Sequence, residues 1–251
     1  MDKCSISGDL LANILGIVSS LVWFIALLPQ LYRNYMSKNS DAVSLFFVLF
    51  WIVGDILNML TALTKGISTV IVYVAIYHII LSIMFASQIM YYRLSYYHLV
   101  DENETVEQSM YSLNRLLFTK NEKIFVISST ITIISYIIGQ HLLSQNKIIA
   151  DLVAWLTTIM FIGSRIPQII LNYQRKSTVG LSIYSFILLN IANYIFIVSV
   201  IVNVCDHIGN EYEFFISNLQ WIVGPLIGSI LDFVLLYQFY SFRNQDINLT
   251  H

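Results

Sequence analysis

Charge is scarce in this chain. Lys and Arg number 13 and Asp and Glu 15, together 11% of 251 residues, where a soluble domain carries about 25%. So few ionised groups exclude a disordered chain and an ordinary soluble enzyme. The near balance of signs, a formal net charge of −2, excludes a nucleic-acid binder that works through a basic surface. Two cysteines, Cys4 and Cys205, supply neither a disulfide framework nor a thiolate metal site. Metal-ligand spacing, a nucleophilic serine elbow and a glycine-rich phosphate loop are all missing. No resident metal, no cofactor and no enzyme is therefore expected. Apolar residues do not alternate with polar ones in stretches of ten, which excludes a membrane β-barrel.

What the chain has is hydrophobic length. Apolar residues make up 57% of it, in runs near the 20 or so residues that a helix needs to cross the hydrocarbon. Seven spans are predicted: Leu10 to Tyr32, Ser44 to Leu63, Thr69 to Tyr92, Ile124 to His141, Ile149 to Asn172, Ser182 to Val204 and Leu219 to Phe242. Residues 1 to 9 hold Asp2, Lys3 and Asp9 and do not read as a basic leader. The first span is thus expected to stay as an anchor.

Orientation follows from basic residues beside the spans. Lys3, Lys65 and Lys147 lie on the N-terminal side. Arg33, Lys38, Arg93, Arg115, Lys120, Lys123, Arg175, Lys176 and Arg243 lie on the other, so the count is nine against three. A lumenal N-terminus and a cytosolic C-terminus are expected. The longest connection, 93–123, would be cytosolic, a solvated linker or the seat of a cytosolic partner. The Asn-Glu-Thr triplet at Asn103 would then stay unglycosylated. Tyr91, Tyr92, Tyr96 and Tyr97 read as an interfacial aromatic belt.

The chain also contains itself twice. LPQLYRNYMSKNSDAVSLF at 28–46 and IPQIILNYQRKSTVGLSIY at 166–184 align without a gap. Pro29 meets Pro167, Gln30 meets Gln168, Asn34 meets Asn172, Tyr35 meets Tyr173, Lys38 meets Lys176 and Ser44 meets Ser182. A weaker match pairs Gln88 with Gln238 and Ser82 with Asp232. The reading is two parallel triplets of helices joined by a single fourth helix, a plan that transporters share, with substrate between the repeats. The domain division is 1–92 for the first triplet, 93–148 for the loop and linker helix, 149–243 for the second triplet and 244–251 for a cytosolic tail.

Polar residues inside the spans are the candidate site. Proline frees a backbone carbonyl and bends a membrane helix, so Pro29–Gln30 and Pro167–Gln168 are candidate hinges. Gly16 and Gly163 allow close packing or extra bending. Asp55 lies near the middle of the second span, where a charge costs roughly 2.5–3.5 kcal/mol on insertion scales and so faces a path or a partner. Asn58 stands three residues on, on the same face, and Asn193 is the repeat mate of Asp55. Together they could hold an ammonium or guanidinium group. Asp232 in the seventh span is a candidate for coupling to protons. Arg165 could bond an acid at a closed gate or anchor its helix. Asp151 reads as a helix-capping acid or a gate. His78 reads as a packed histidine, with proton handling as the alternative.

The doubled Pro-Gln motif, followed by Asn, Lys and Ser, resembles the PQ-loop repeat family. The segments SRIPQIILNYQRKSTVGLS, Gly54-Asp55 with Asn58, and GPLIGSILDFVLLYQF resemble its vacuolar and lysosomal cationic amino acid transporters. The resemblance implies a SWEET-like fold of seven transmembrane helices. It also implies alternating-access export of lysine, arginine or histidine from an acidic vacuolar or lysosomal lumen to the cytosol, with protons as a candidate coupling ion. Pro29 and Pro167 would be the hinges and Asp55 would lie in the path. The cystine-exporting branch usually has an aspartate where this chain has Asn190 or Asn193. Ser82 stands where relatives often carry an aspartate. The alternatives are a transporter of cystine, a neutral amino acid or a sugar, and a nutrient-responsive membrane scaffold.

Overall fold

The computed structural model describes residues 3–65, 69–100, 119–142, 147–206, 215–216 and 219–243. The regular elements among them are helices: α1 (Lys3–Ala26), α2 (Leu28–Ser37), α3 (Leu45–Lys65), α4 (Thr69–Val100), α5 (Lys120–Leu142), α6 (Lys147–Arg175), α7 (Ile183–Asp206) and α8 (Gln220–Ser241). Among the described residues, seven spans are long and apolar enough to cross a membrane, the first being Leu10–Ser37, made of α1 from Leu10 onward and the whole of α2. This is the predicted count, and the predicted spans match in order. Most of segment 93–123, including Asn103, falls at 101–118, outside the described residues.

The two motif prolines act differently on their helices. A proline lacks the N–H that would bond four residues back, and its ring crowds that carbonyl. At Pro29 the helix breaks at Leu27, and Gln30 N–H donates to the Leu27 carbonyl at 3.2 Å. Pro167 is absorbed inside the continuous α6. Two further boundaries depart from the hydropathy reading. The fourth span starts at Lys120, before Ile124, because Thr119 and Glu122 close a reciprocal cap. Thr119 N–H donates to Glu122 Oε2 at 2.6 Å, and Glu122 N–H to Thr119 Oγ1 at 3.3 Å. The helices bearing the motifs end on Lys38 and Lys176, which hold φ of 52° and 53° in the left-handed region usually left to glycine. Each lysine lays its Nζ over the tyrosine three residues back, Tyr35 at 3.8 Å and Tyr173 at 3.4 Å.

The described residues pack as two compact units. One comprises Met1–Gln30, Thr158–Thr178 and Ser182–His251, the other Leu31–Thr157 and Val179–Leu181. In the first unit α1 lies along α7, and α7 along α8. Small residues permit the approach. Ser19 Oγ donates to the Ala192 carbonyl at 2.9 Å and Ser199 Oγ to the Ala12 carbonyl at 2.7 Å. A Cβ on Gly16 would touch Ser199 Oγ at 3.4 Å. The rings of Trp23 and Phe196 pack at a tilt with centroids 5.1 Å apart. In the second unit α3 packs on α4 and on α5. Phe125 sits against Phe50 at 4.5 Å, and Tyr136 donates to Thr64 Oγ1 at 2.9 Å. Along α5, Ile127, Ile131, Ile134 and Ile138 form one exposed apolar face, as lipid contact requires.

Candidate functional site

Polar side chains concentrate inside these units, and most of the candidates are among them. Gln30, Asn34, Asp55, Arg165, Gln168, Asn172, Asn193, Asp232 and Gln238 are all buried. In a span without water such groups must find partners within the protein.

The two repeats build the same clamp. In the second unit Asn34 Nδ2 donates to Gln88 Oε1 at 3.0 Å, and Gln88 Nε2 donates to the Leu31 carbonyl at 3.1 Å. In the first unit Asn172 Nδ2 donates to Gln238 Oε1 at 2.8 Å, and Gln238 Nε2 to the Ile169 carbonyl at 2.9 Å. Leu31 and Ile169 stand at the same offset of the repeat as Pro29 and Pro167. Each clamp ties the segment after a proline to the third helix of its own triplet. The motif glutamines have separate work. Gln30 Oε1 accepts from Ser182 N–H, just ahead of α7, as a capping side chain does. Gln168 Nε2 donates to Asn172 Oδ1 at 2.9 Å.

In the first unit Arg165 and Asp232, candidates 67 residues apart, come together. Arg165 Nε donates to Asp232 Oδ1 at 3.3 Å, and Nη1 donates to the Phe161 carbonyl at 2.6 Å and to Ser164 Oγ at 3.0 Å. Asn193 is placed beside them. Its Oδ1 accepts from Trp23 Nε1 at 3.2 Å and its Nδ2 donates to Ser229 Oγ at 3.3 Å.

In the second unit Asp55 on α3 faces His78 on α4. Asp55 Oδ1 is 3.7 Å from His78 Nδ1, an ion-pair distance once the imidazole is protonated and too long for a hydrogen bond. Around the pair, Asp55 Oδ2, Asn58 Oδ1, Thr61 Oγ1, His78 Nε2 and Ser82 Oγ are buried without a hydrogen-bond partner. The sequence reading gave His78 as a packed histidine, with proton handling as the alternative. Only its position one turn before Ser82, on a helix facing Asp55, gives it a place in the site. Asp151 lies one turn inside α6, which begins at Lys147. It is therefore not at the helix start, as the capping reading had placed it. No group of three His, Cys, Asp or Glu side chains that could hold a metal occurs among the described residues.

Comparison with known proteins bears on the doubled motif directly. The PQ loop repeat model matches residues 11–71 and 149–208. The chain is 25% identical to the vacuolar lysine transporter of Saccharomyces cerevisiae, over 93% of this chain and 94% of that protein. It is 26% identical to a lysosomal amino acid transporter 1 homolog of Gallus gallus, over 97% of this chain and 84% of that one. These relatives are transporters, not enzymes. Among solved structures, a eukaryotic SWEET transporter shares the fold with a TM-score of 0.53, at 10% identity, over 94% of this chain and 99% of the other. With two matched repeats, a seven-helix fold and one symmetric clamp in each repeat, this chain belongs to the PQ-loop repeat family.

Proposed function

We propose that this chain is an alternating-access transporter of cationic amino acids in a vacuolar or lysosomal membrane. It exports lysine, arginine or histidine from the lumen to the cytosol, with protons as the coupling ion. The N-terminus is lumenal and the C-terminus cytosolic, following the excess of basic residues on the C-terminal side. Pro29 and Pro167 act as hinges, Arg165 and Asp232 as a gate or coupling pair, and Asp151 as a second gating acid. Segment 93–123 is a candidate seat for a cytosolic partner.

One observation carries the substrate class. Asp55 is 2% exposed inside a span, and its Oδ2 and the neighbouring Asn58 Oδ1 have no hydrogen-bond partner. A buried carboxylate without a full set of donors is costly, and an ammonium or guanidinium head supplies those donors. The names of the relatives, one a lysine transporter, support the same class. The test is uptake of labelled lysine, arginine and histidine into proteoliposomes, with and without a pH gradient, for wild type and Asp55→Asn. Saturable uptake of one of the three that disappears in D55N is the expected result. No uptake by folded wild-type protein would overturn the reading in favour of a neutral solute or a scaffold.

A further inference from the structure

Each repeat buries one carboxylate, and the chain meets the two with different basic side chains. The match that pairs Gln88 with Gln238 and Ser82 with Asp232 also pairs His78 with Gly228. A Cβ on Gly228 would lie 3.8 Å from Arg165 Nη2 and 3.9 Å from Asn193 Nδ2. In the second repeat, then, the Arg165 guanidinium lies beside α8 at the position where, in the first, the imidazole of His78 projects from α4. Asn193 stands at the repeat position of Asp55.

The two arrangements differ in the group that faces the carboxylate. Arg165 is a permanent cation, held by the Asp232 carboxylate, a carbonyl and a hydroxyl. In the first repeat His78 stands 3.7 Å from Asp55. Five polar atoms on α3 and α4 around the pair have no partner, although buried polar groups almost always find one. Four of the five are oxygens that accept: a carboxylate oxygen, an amide oxygen and two hydroxyls. An ammonium brings three donors and a guanidinium five. In the second repeat Asp232 Oδ2 and Asn190 Oδ1 also lack a partner, but a built-in guanidinium stands on that carboxylate. The first repeat has the acceptors of a cation site and no such guanidinium.

We propose that the seam between α3 and α4 is the subsite for the cationic head of the substrate, and that His78 determines its specificity as the resident group the head must displace from Asp55. At 3.7 Å the imidazole makes no hydrogen bond to the carboxylate and leaves it available. A fixed charge at this position, as Arg165 supplies in the second repeat, satisfies Asp55 from within and excludes the substrate, because two cations on one carboxylate leave a net charge buried in the span. The elements forming this packing also carry Lys65 on α3, Tyr73, Tyr77, Tyr91, Tyr92, Arg93, Tyr96, Tyr97 and His98 on α4, and Lys120, Lys123, His141 and Tyr136 on α5. The Tyr136 hydroxyl is engaged by Thr64. Glu122 of α5 is held in its cap.

The inference rests on cationic amino acid transport, so the experiment separates the two. Labelled lysine uptake is measured in proteoliposomes for wild type, His78→Arg and His78→Asn, with folding checked by thermal unfolding in detergent. The expected result is wild-type uptake, loss of about tenfold or more in H78R, and uptake in H78N with KM at or below that of wild type. A merely structural histidine would make both variants fail alike. Wild-type KM in H78R, or loss in H78N as complete as in H78R, overturns the role of His78 while transport stands. No uptake of any cationic amino acid by wild type overturns both. If H78R does not fold, lysine protection against unfolding decides in wild type and H78N. Protection at least as strong in H78N supports the inference, and its loss there overturns it.

Discussion

Arg165 sets its guanidinium against the carboxylate of Asp232, 3.3 Å away, with the two side chains 6% and 0% exposed. An ion pair so enclosed is worth little against an apolar replacement of both partners, yet breaking it from one side strands a charge. Arg165→Gln should therefore destabilise the protein by about 3–5 kcal/mol. The double variant Arg165→Leu with Asp232→Leu should recover much of that loss. Thermal unfolding in detergent reads both, and an R165Q protein as stable as wild type would show that the pair does not hold the unit together.

The repeated clamps make a symmetric prediction. Gln88→Ala and Gln238→Ala each remove one amide that donates to a carbonyl and accepts from an asparagine. Each leaves buried groups unsatisfied, at a cost of about 1–3 kcal/mol. A double-mutant cycle between Asn172 and Gln238 should show coupling above roughly 0.5 kcal/mol, and so should the cycle between Asn34 and Gln88. Coupling in one repeat alone would mean that the shared geometry is not shared energetics.

Gly180 carries two separate demands. Its φ is 96°, and a Cβ there would come within 2.7 Å of the Ala42 Cβ. Ala42 is its repeat mate. Gly180→Ala should cost about 1–3 kcal/mol for the strained backbone, and the steric contact adds to it. Adding Ala42→Gly should relieve the contact and leave the backbone cost. Unfolding of the two single variants and the double separates these terms, and full recovery in the double would show that backbone strain plays no part.

Local patterns were legible without coordinates. Hydropathy marks a span because each of about 20 residues meets lipid or packed protein on its own account. The seven spans, the doubled Pro-Gln motif and the pairing of Gln88 with Gln238 all follow from properties that run along the chain. Hydropathy missed the start of α5 because a cap is made of polar residues, Thr119 and Glu122, which a count of apolar residues passes over. It also gave no warning that Pro29 breaks its helix while Pro167 sits inside a continuous one.

By itself the sequence determined that this is a seven-span repeat protein with a few costly polar residues in its spans. Composition and periodicity are sums over neighbours, and they need no fold. Which polar residues meet was decided by tertiary structure alone. Arg165 reaches Asp232, Asp55 faces His78, and Gln30 caps a helix of the other triplet. Such pairings depend on helix rotation and packing distance, where one residue of register carries a side chain about 100° around the helix, and no one-dimensional pattern carries that angle from one helix to another.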